Sequence, residues 1–70
     1  MSQNVLLIGA TGFIGAAILN ELLNRGHKVT AVARNTGKIA AREGLTVVSA
    51  DVADVDRIAE LAKGKDAVIS

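Results

Sequence analysis

Three glycines stand three residues apart in the stretch Gly9-Ala10-Thr11-Gly12-Phe13-Ile14-Gly15. They follow the aliphatic run Val5-Leu6-Leu7-Ile8 and lead into a segment with helical apolar spacing. Each glycine answers a different need. Gly9 allows a sharp turn out of a strand. Gly12, lacking a Cβ, allows a pyrophosphate to approach the amino end of a helix. Gly15 allows that helix to pack closely on a sheet. Unpaired N–H groups in the first helical turn, together with the helix dipole, favour an anion there. The Thr11 hydroxyl adds a donor. Alone, such a turn is weak evidence; between a strand and a helix it is strong. Gly9, Thr11, Gly12, Phe13, Ile14 and Gly15 are therefore the candidate phosphate-binding residues. The competing reading is a tight turn without a ligand.

The elements that must position this turn are legible around it. Val5–Ile8 is continuously apolar, as suits a parallel strand buried on both faces. Gly12 to Asn24 reads as a helix, with Ile14, Ala17, Ile18 and Leu22 at helical spacing and Gly26 as a left-handed cap. Val29–Ala33 is the second strand and Asn35-Thr36-Gly37 a turn. Lys38 to Arg42 is a short helix ended by Gly44. Leu45–Ala50 is the third strand. Asp54 caps a helix through Ala62, with Val55, Ile58, Leu61 and Ala62 inward, and Gly64 ends it. Ala67–Ile69 is a fourth strand. The order βαβαβαβ predicts an α/β fold with a parallel sheet and right-handed crossovers. The strand order is expected to be 3-2-1-4, with helices on both faces.

Composition narrows the classes. Seventy residues make one domain, 1–70, and a chain of this length buries only about 60% of its unfolded surface. Half the residues are hydrophobic and Phe13 is the sole aromatic, so the core is aliphatic. There is no cysteine, which excludes a disulfide framework and a Cys-ligated metal site. No secretory signal and no apolar run near the ~20 residues of a membrane span is present; a cytoplasmic protein with no membrane partner is expected. A net charge of +1 is too close to neutral for a general nucleic-acid binder. Residues 1–43 carry +3 and residues 44–70 carry −2. The positive part holds the glycine turn, which suits a phosphorylated ligand, although solvated surface charge explains the same pattern.

"GATGFIG" resembles the GxxGxxG turn of extended and atypical short-chain dehydrogenases/reductases. "NELLNRGHKVTAVARN", "VVSADVAD" and "KGKDAVIS" follow in the order those proteins show, so the resemblance covers all 70 residues. It is nearest to the NmrA-like and NADH-flavin-reductase-like group, and it implies the first half of a Rossmann domain that binds NAD(P). In such domains the end of the second strand selects the cofactor, an acidic residue serving the ribose 2′-OH of NAD(H). Here Ala33-Arg34 occupies that place. The forked Arg34 cation suits a 2′-phosphate, and Lys38, one helical turn on, is a candidate helper. NADP(H) is expected over NAD(H), which stays open. For Arg34 and Lys38 the rival reading is ordinary surface charge. The resemblance further implies that Asp51 meets the adenine amino group, that Val52 lines the ring, and that Ser70 lies near the ribose or pyrophosphate. Asp51 reads equally as a turn or capping residue, with Asp54 and Asp56 nearby. His27 reads as a polar turn residue. "TGK" at 36–38 is no Walker turn: Val32 stands where that motif needs its first glycine and Ile39 replaces the Ser/Thr.

The resembled dehydrogenases often use a Tyr-x-x-x-Lys pair, and this chain has no tyrosine. Strands five and six, the nicotinamide pocket and the substrate pocket would lie beyond residue 70. No catalytic residue is therefore assigned and no metal is expected. The expected function is a dinucleotide-binding module, the adenosine-pyrophosphate half of an oxidoreductase or epimerase, not catalytic by itself. The alternative is a structural or engineered half-domain that folds and self-associates without meaningful ligand affinity. A homodimer through the fourth-strand edge is expected in either case, with face-to-face packing of the uncovered surfaces and strand exchange as the rival modes.

Overall fold

The computed structural model describes residues 2–9, 13–34, 37, 39, 42–51 and 53–69, and the side chains of all of these but 13 and 14. The elements run β1 (Asn4–Ile8), α1 (Phe13–Asn24), β2 (Lys28–Ala33), β3 (Leu45–Ser49), α2 (Val55–Ala62) and β4 (Ala67–Ile69). The four strands form one sheet in the order β3-β2-β1-β4, and every pairing is parallel. Both the order and the parallel sense are those expected from the alternation of strand and helix patterns.

β1 is central and explains its own composition. Val5, Leu6 and Leu7 are at most 2% exposed. Successive side chains of a strand point to opposite faces, so a strand buried on both must be apolar at every position. The register aligns Leu7 with Ala31 and Ile69, and Val5 with Val29. These residues face α1: Leu7, Leu19, Val29 and Ala31 form a core against which Ile18, Leu22, Leu23, Ile39, Leu45 and Ile69 pack. Leu6 and Val32, on the opposite face, are fully buried as well. The β3-to-β4 connection runs back across the sheet in the reverse direction, so a right-handed crossover carries α2 on that second face.

α1 ends because Gly26 takes φ +83°. The Gly26 N–H donates to the Leu23 carbonyl and the His27 N–H to the Leu22 carbonyl. This pair of bonds satisfies carbonyls that would otherwise be orphaned at the helix end. α2 begins at Asp54, whose side chain accepts from the Arg57 N–H at 3.2 Å, as its cap reading predicts. Gly44 and Gly64 also have positive φ, where the preceding segments were expected to stop.

Three details differ from the sequence reading. Val55 is 72% exposed rather than inward; it sits in the first turn of a two-turn helix, where the chain has only just left the carboxyl edge of the sheet. Ile58, Leu61 and Ala62 are half-buried. Val68, in the continuously apolar run Ala67-Val68-Ile69 that suits a strand covered on both faces, is 52% exposed. Its register partner Leu6 is covered, so cover on that face fades between β1 and β4. The short helix expected over 38–42 falls largely outside the described residues. Within it, Ile39 and Arg42 are not α-helical, although Ile39 does pack on the α1 core. No helix among the described residues is long and apolar enough to cross a membrane.

Candidate functional site

Ligands of open parallel sheets bind outside the carboxyl ends of the strands, at the point where the strand order reverses. Here the order reverses between β1 and β4, and the carboxyl end of β1 is the glycine turn. Gly9 leaves the strand at φ +85°, a conformation that costs an L-residue with a Cβ about 1–2 kcal/mol. Its N–H donates to the Val32 carbonyl at 3.2 Å, which ties the turn to the end of β2. Nothing lies within 4 Å of where a Gly9 Cβ would stand; the backbone conformation, not crowding, demands glycine. Gly15 is half-buried in the first turn of α1. That turn contains no acidic residue, so no side-chain carboxylate there competes for its N–H groups or opposes an incoming anion. Thr11 and Gly12 lie outside the described residues, as do the side chains of Phe13 and Ile14.

β2 and β3 deliver the other half of the site. The Ala50 N–H donates to the Ala33 carbonyl at 3.2 Å, and the Ser49 hydroxyl to the Arg34 carbonyl at 3.3 Å. Arg34 and Asp51 thereby leave adjacent strand ends, and Arg34 Nη2 donates to Asp51 Oδ1 at 3.3 Å. The same oxygen accepts the Ala53 N–H at 2.9 Å, and the Asp51 carbonyl accepts the Asp54 N–H at 2.9 Å. The Ala53 N–H chiefly holds the Asp51 carboxyl below its ordinary value; desolvation, next in size, opposes it, and the Arg34 guanidinium adds to the lowering. Asp51 thus fulfils the turn reading. Its Oδ2 accepts no hydrogen bond among the described residues, and an exocyclic amine is a suitable donor for it. Lys38, Val52 and Ser70 lie outside the described residues.

Sequence reasoning missed the ties at the other end of the sheet. The Asn4 N–H donates to Asp66 Oδ2, and the Asp66 N–H returns a bond to the Asn4 carbonyl, both at 2.7 Å. The Gln3 N–H donates to His27 Nδ1 at 3.1 Å, so His27 is the polar turn residue expected, with an added anchoring role. Two open clefts of about 270 and 390 Å³ surround Lys28 and Gly44 at this amino edge, away from the glycine turn. No group of His, Asp and Glu among the described residues could hold a metal ion.

A parallel sheet in this order, with a left-handed glycine at the strand-order reversal, defines a Rossmann-like nucleotide-binding unit. Comparison with known proteins gives the family. A family model described as NAD(P)H-binding matches residues 9–70, and the chain belongs to that family. It is 38% identical over 69 residues to a decarboxylating sterol-4-alpha-carboxylate 3-dehydrogenase of Dictyostelium discoideum, covering 96% of this chain and 21% of the relative. It is 51% identical over 49 residues to a chloroplastic divinyl chlorophyllide a 8-vinyl-reductase of Oryza sativa subsp. indica, covering 70% and 12%. Among solved structures, a provisionally named epimerase from Bacteroides thetaiotaomicron superposes with a TM-score of 0.88 at 52% identity, covering 94% of this chain and 31% of that one. The Bordetella bronchiseptica enzyme WbmH, in complex with NAD+, gives 0.85 at 28% identity, covering 97% and 25%. These relatives and neighbours are of the extended short-chain dehydrogenase/reductase and epimerase type. The chain spans between about an eighth and a third of their lengths.

Proposed function

We propose that the chain binds the adenosine-pyrophosphate half of a nicotinamide dinucleotide, that it prefers NADP(H) to NAD(H), and that it catalyses no hydride transfer by itself. The observation that carries the preference is Arg34. It leaves β2 where an acid would serve the ribose 2′-OH, and its side chain is 75% exposed. Only one of its five donors is engaged with Asp51. The residues present fit the cofactor: a left-handed Gly9, an acid-free first turn of α1, and a cation beside a carboxylate for ribose and base. When bound, the dinucleotide supplies the hydride chemistry. The chain's own groups bind and orient its adenosine end, and no tyrosine is present to act as acid/base.

Calorimetric titration of NADPH and NADH tests this. Arg34→Ala should weaken NADPH by about 1.5–3 kcal/mol, the scale of a charge-assisted hydrogen bond, while sparing NADH. Equal losses for both would refute the 2′-phosphate assignment. Absence of binding to either would leave the structural, self-associating module as the function.

Self-association belongs to the same proposal. β4 pairs with β1 on one side and with no strand among the described residues on the other, and it presents Val68. An unpaired apolar edge is a template for another chain. A two-fold axis across it would join two sheets as antiparallel neighbours. Sedimentation of the 70-residue chain should show a dimer, and Val68→Lys should shift it towards monomer. Val68 is the position to change, because Ile69 packs on the α1 core. A folded chain that stays monomeric at high concentration would end this part of the proposal.

A further inference from the structure

The ends of β2 and β3 are joined by a contact that cofactor binding as proposed above does not use. Arg34 is held twice from the β3 side, its carbonyl by the Ser49 hydroxyl at 3.3 Å and its Nη2 by Asp51 Oδ1 at 3.3 Å. Asp51 in turn is fixed by the Ala53 N–H at 2.9 Å. A carboxylate anchored to backbone stays where it is, and the longer side chain comes to it. We propose that Asp51 is a positioning residue for cofactor choice: it holds Arg34, but by balancing its charge it limits the preference for the 2′-phosphorylated dinucleotide over the 2′-hydroxyl form. The inference rests on the reading of Arg34 as the 2′-phosphate partner.

Two effects of Asp51 oppose each other. Holding the guanidinium in place favours phosphate binding, since only one of its five donors is spent on Asp51. Placing a negative charge beside the phosphate disfavours it. Both side chains are substantially exposed, 75% for Arg34 and 49% for Asp51. One exposed side chain steadies another only weakly. A phosphate monoester carries between about 1.5 and 2 negative charges at neutral pH, so the charge effect is the larger. NADH carries an uncharged 2′-hydroxyl at this position, on which the charge of Asp51 exerts no comparable repulsion. Any contact of Asp51 with the adenine is common to both cofactors and cancels in the ratio of their affinities.

The ratio of the NADH Kd to the NADPH Kd is therefore the measurement, on the full chain, for the wild type, Asp51→Asn, Arg34→Ala and the double variant. Asparagine keeps an acceptor for the Ala53 N–H. Asp51→Asn should raise the ratio roughly three- to tenfold at low salt, and the rise should shrink towards unity in ~1 M salt, where the screening length is about 3 Å. With Arg34→Ala in place, the same change should move the ratio less. An unchanged ratio overturns the inference, because a turn or adenine role alone affects both cofactors equally. A falling ratio also overturns it. If Arg34→Ala weakens NADPH alone while Asp51→Asn leaves the ratio unmoved, the reading of Arg34 stands and this inference fails. A wild-type chain that binds neither dinucleotide overturns both. The contact itself is checked without cofactor: by carboxyl NMR, Arg34→Ala should raise the titration midpoint of Asp51. An unmoved midpoint means that the pair does not form, and the inference falls.

Discussion

The chain contains two strand-to-helix junctions of the same kind, β1 into α1 and β3 into α2, and they are built from opposite chemistry. The second is acidic and satisfies itself. Asp51, Asp54 and Asp56 fall within six residues; Asp51 accepts from Ala53 and Asp54, and the Asp54 side chain accepts from Arg57. Asp56 stands in the first turn of α2. The first junction has no charge at all, and the first charged residue of the chain is Glu21. A helix start leaves N–H groups unpaired and carries partial positive charge. At α2 the chain's own carboxylates supply what that end needs. The first turn of α1 holds no acidic residue to do so. The contrast separates a junction that satisfies itself from one that, on the function proposed above, receives an external anion.

The comparison can be broken most severely at Gly12. Gly12→Val should abolish measurable binding of both NADPH and NADH, at least ~100-fold, by placing a side chain where the pyrophosphate must approach the helix. Retained binding would show that the two junctions do not differ in this way. A milder change gives α1 the character of α2. Ala16 is exposed in the first turn of α1. Ala16→Glu should weaken both cofactors about tenfold while raising stability by roughly 0.3–1 kcal/mol, the worth of an acid near a helix amino end. Titration calorimetry and thermal unfolding report the two effects separately, and a loss of stability would contradict the dipole argument.

The reciprocal change should touch stability alone. Asp54→Ala removes the α2 cap and should cost about 0.5–2 kcal/mol in denaturant unfolding, with cofactor affinities unchanged. A fall in affinity would mean that the acidic junction also serves the ligand. The smallest effect concerns pH. Asp51 has its carboxyl held below the ordinary value of 3.8. A group whose pKa is lower folded than unfolded stabilises the fold above its unfolded value. That contribution is lost as the pH falls through the folded value. Carboxyl NMR should place the Asp51 midpoint below 3.8, and Asp51→Asn should flatten the acid limb of the stability profile slightly. A midpoint at or above the ordinary value would contradict the hydrogen bonding described.

Much of this was legible in the residues because its causes are local. A continuous run such as Val5–Ile8 has few other uses than a strand covered on both sides. Gly26 and Gly44 stand where a helix or loop must turn through positive φ, and Asp54 stands three residues before the N–H that it caps. The family likeness likewise starts from a seven-residue turn and runs on through residues 9–70. What stayed hidden depends on separation along the chain. Asp66 binds Asn4 across 62 positions, and His27 binds Gln3 across 24. Helical spacing assigned Val55 to the inner face, yet spacing says nothing about where the sheet beneath a helix begins.

By itself, then, the sequence determined the alternation of elements, their stops, the parallel sheet and the place of the glycine turn, because each follows from backbone preference or apolar period within a few residues. The tertiary structure alone decided that Arg34 meets Asp51, that Val68 is left half-open while Leu6 beside it is sealed, and that the amino ends of β1 and β4 are clasped by Asp66. Those outcomes require strands from different parts of the chain to lie about 5 Å apart in register, and register is a property of the assembled sheet, set by which faces are buried and not by any one strand's own residues.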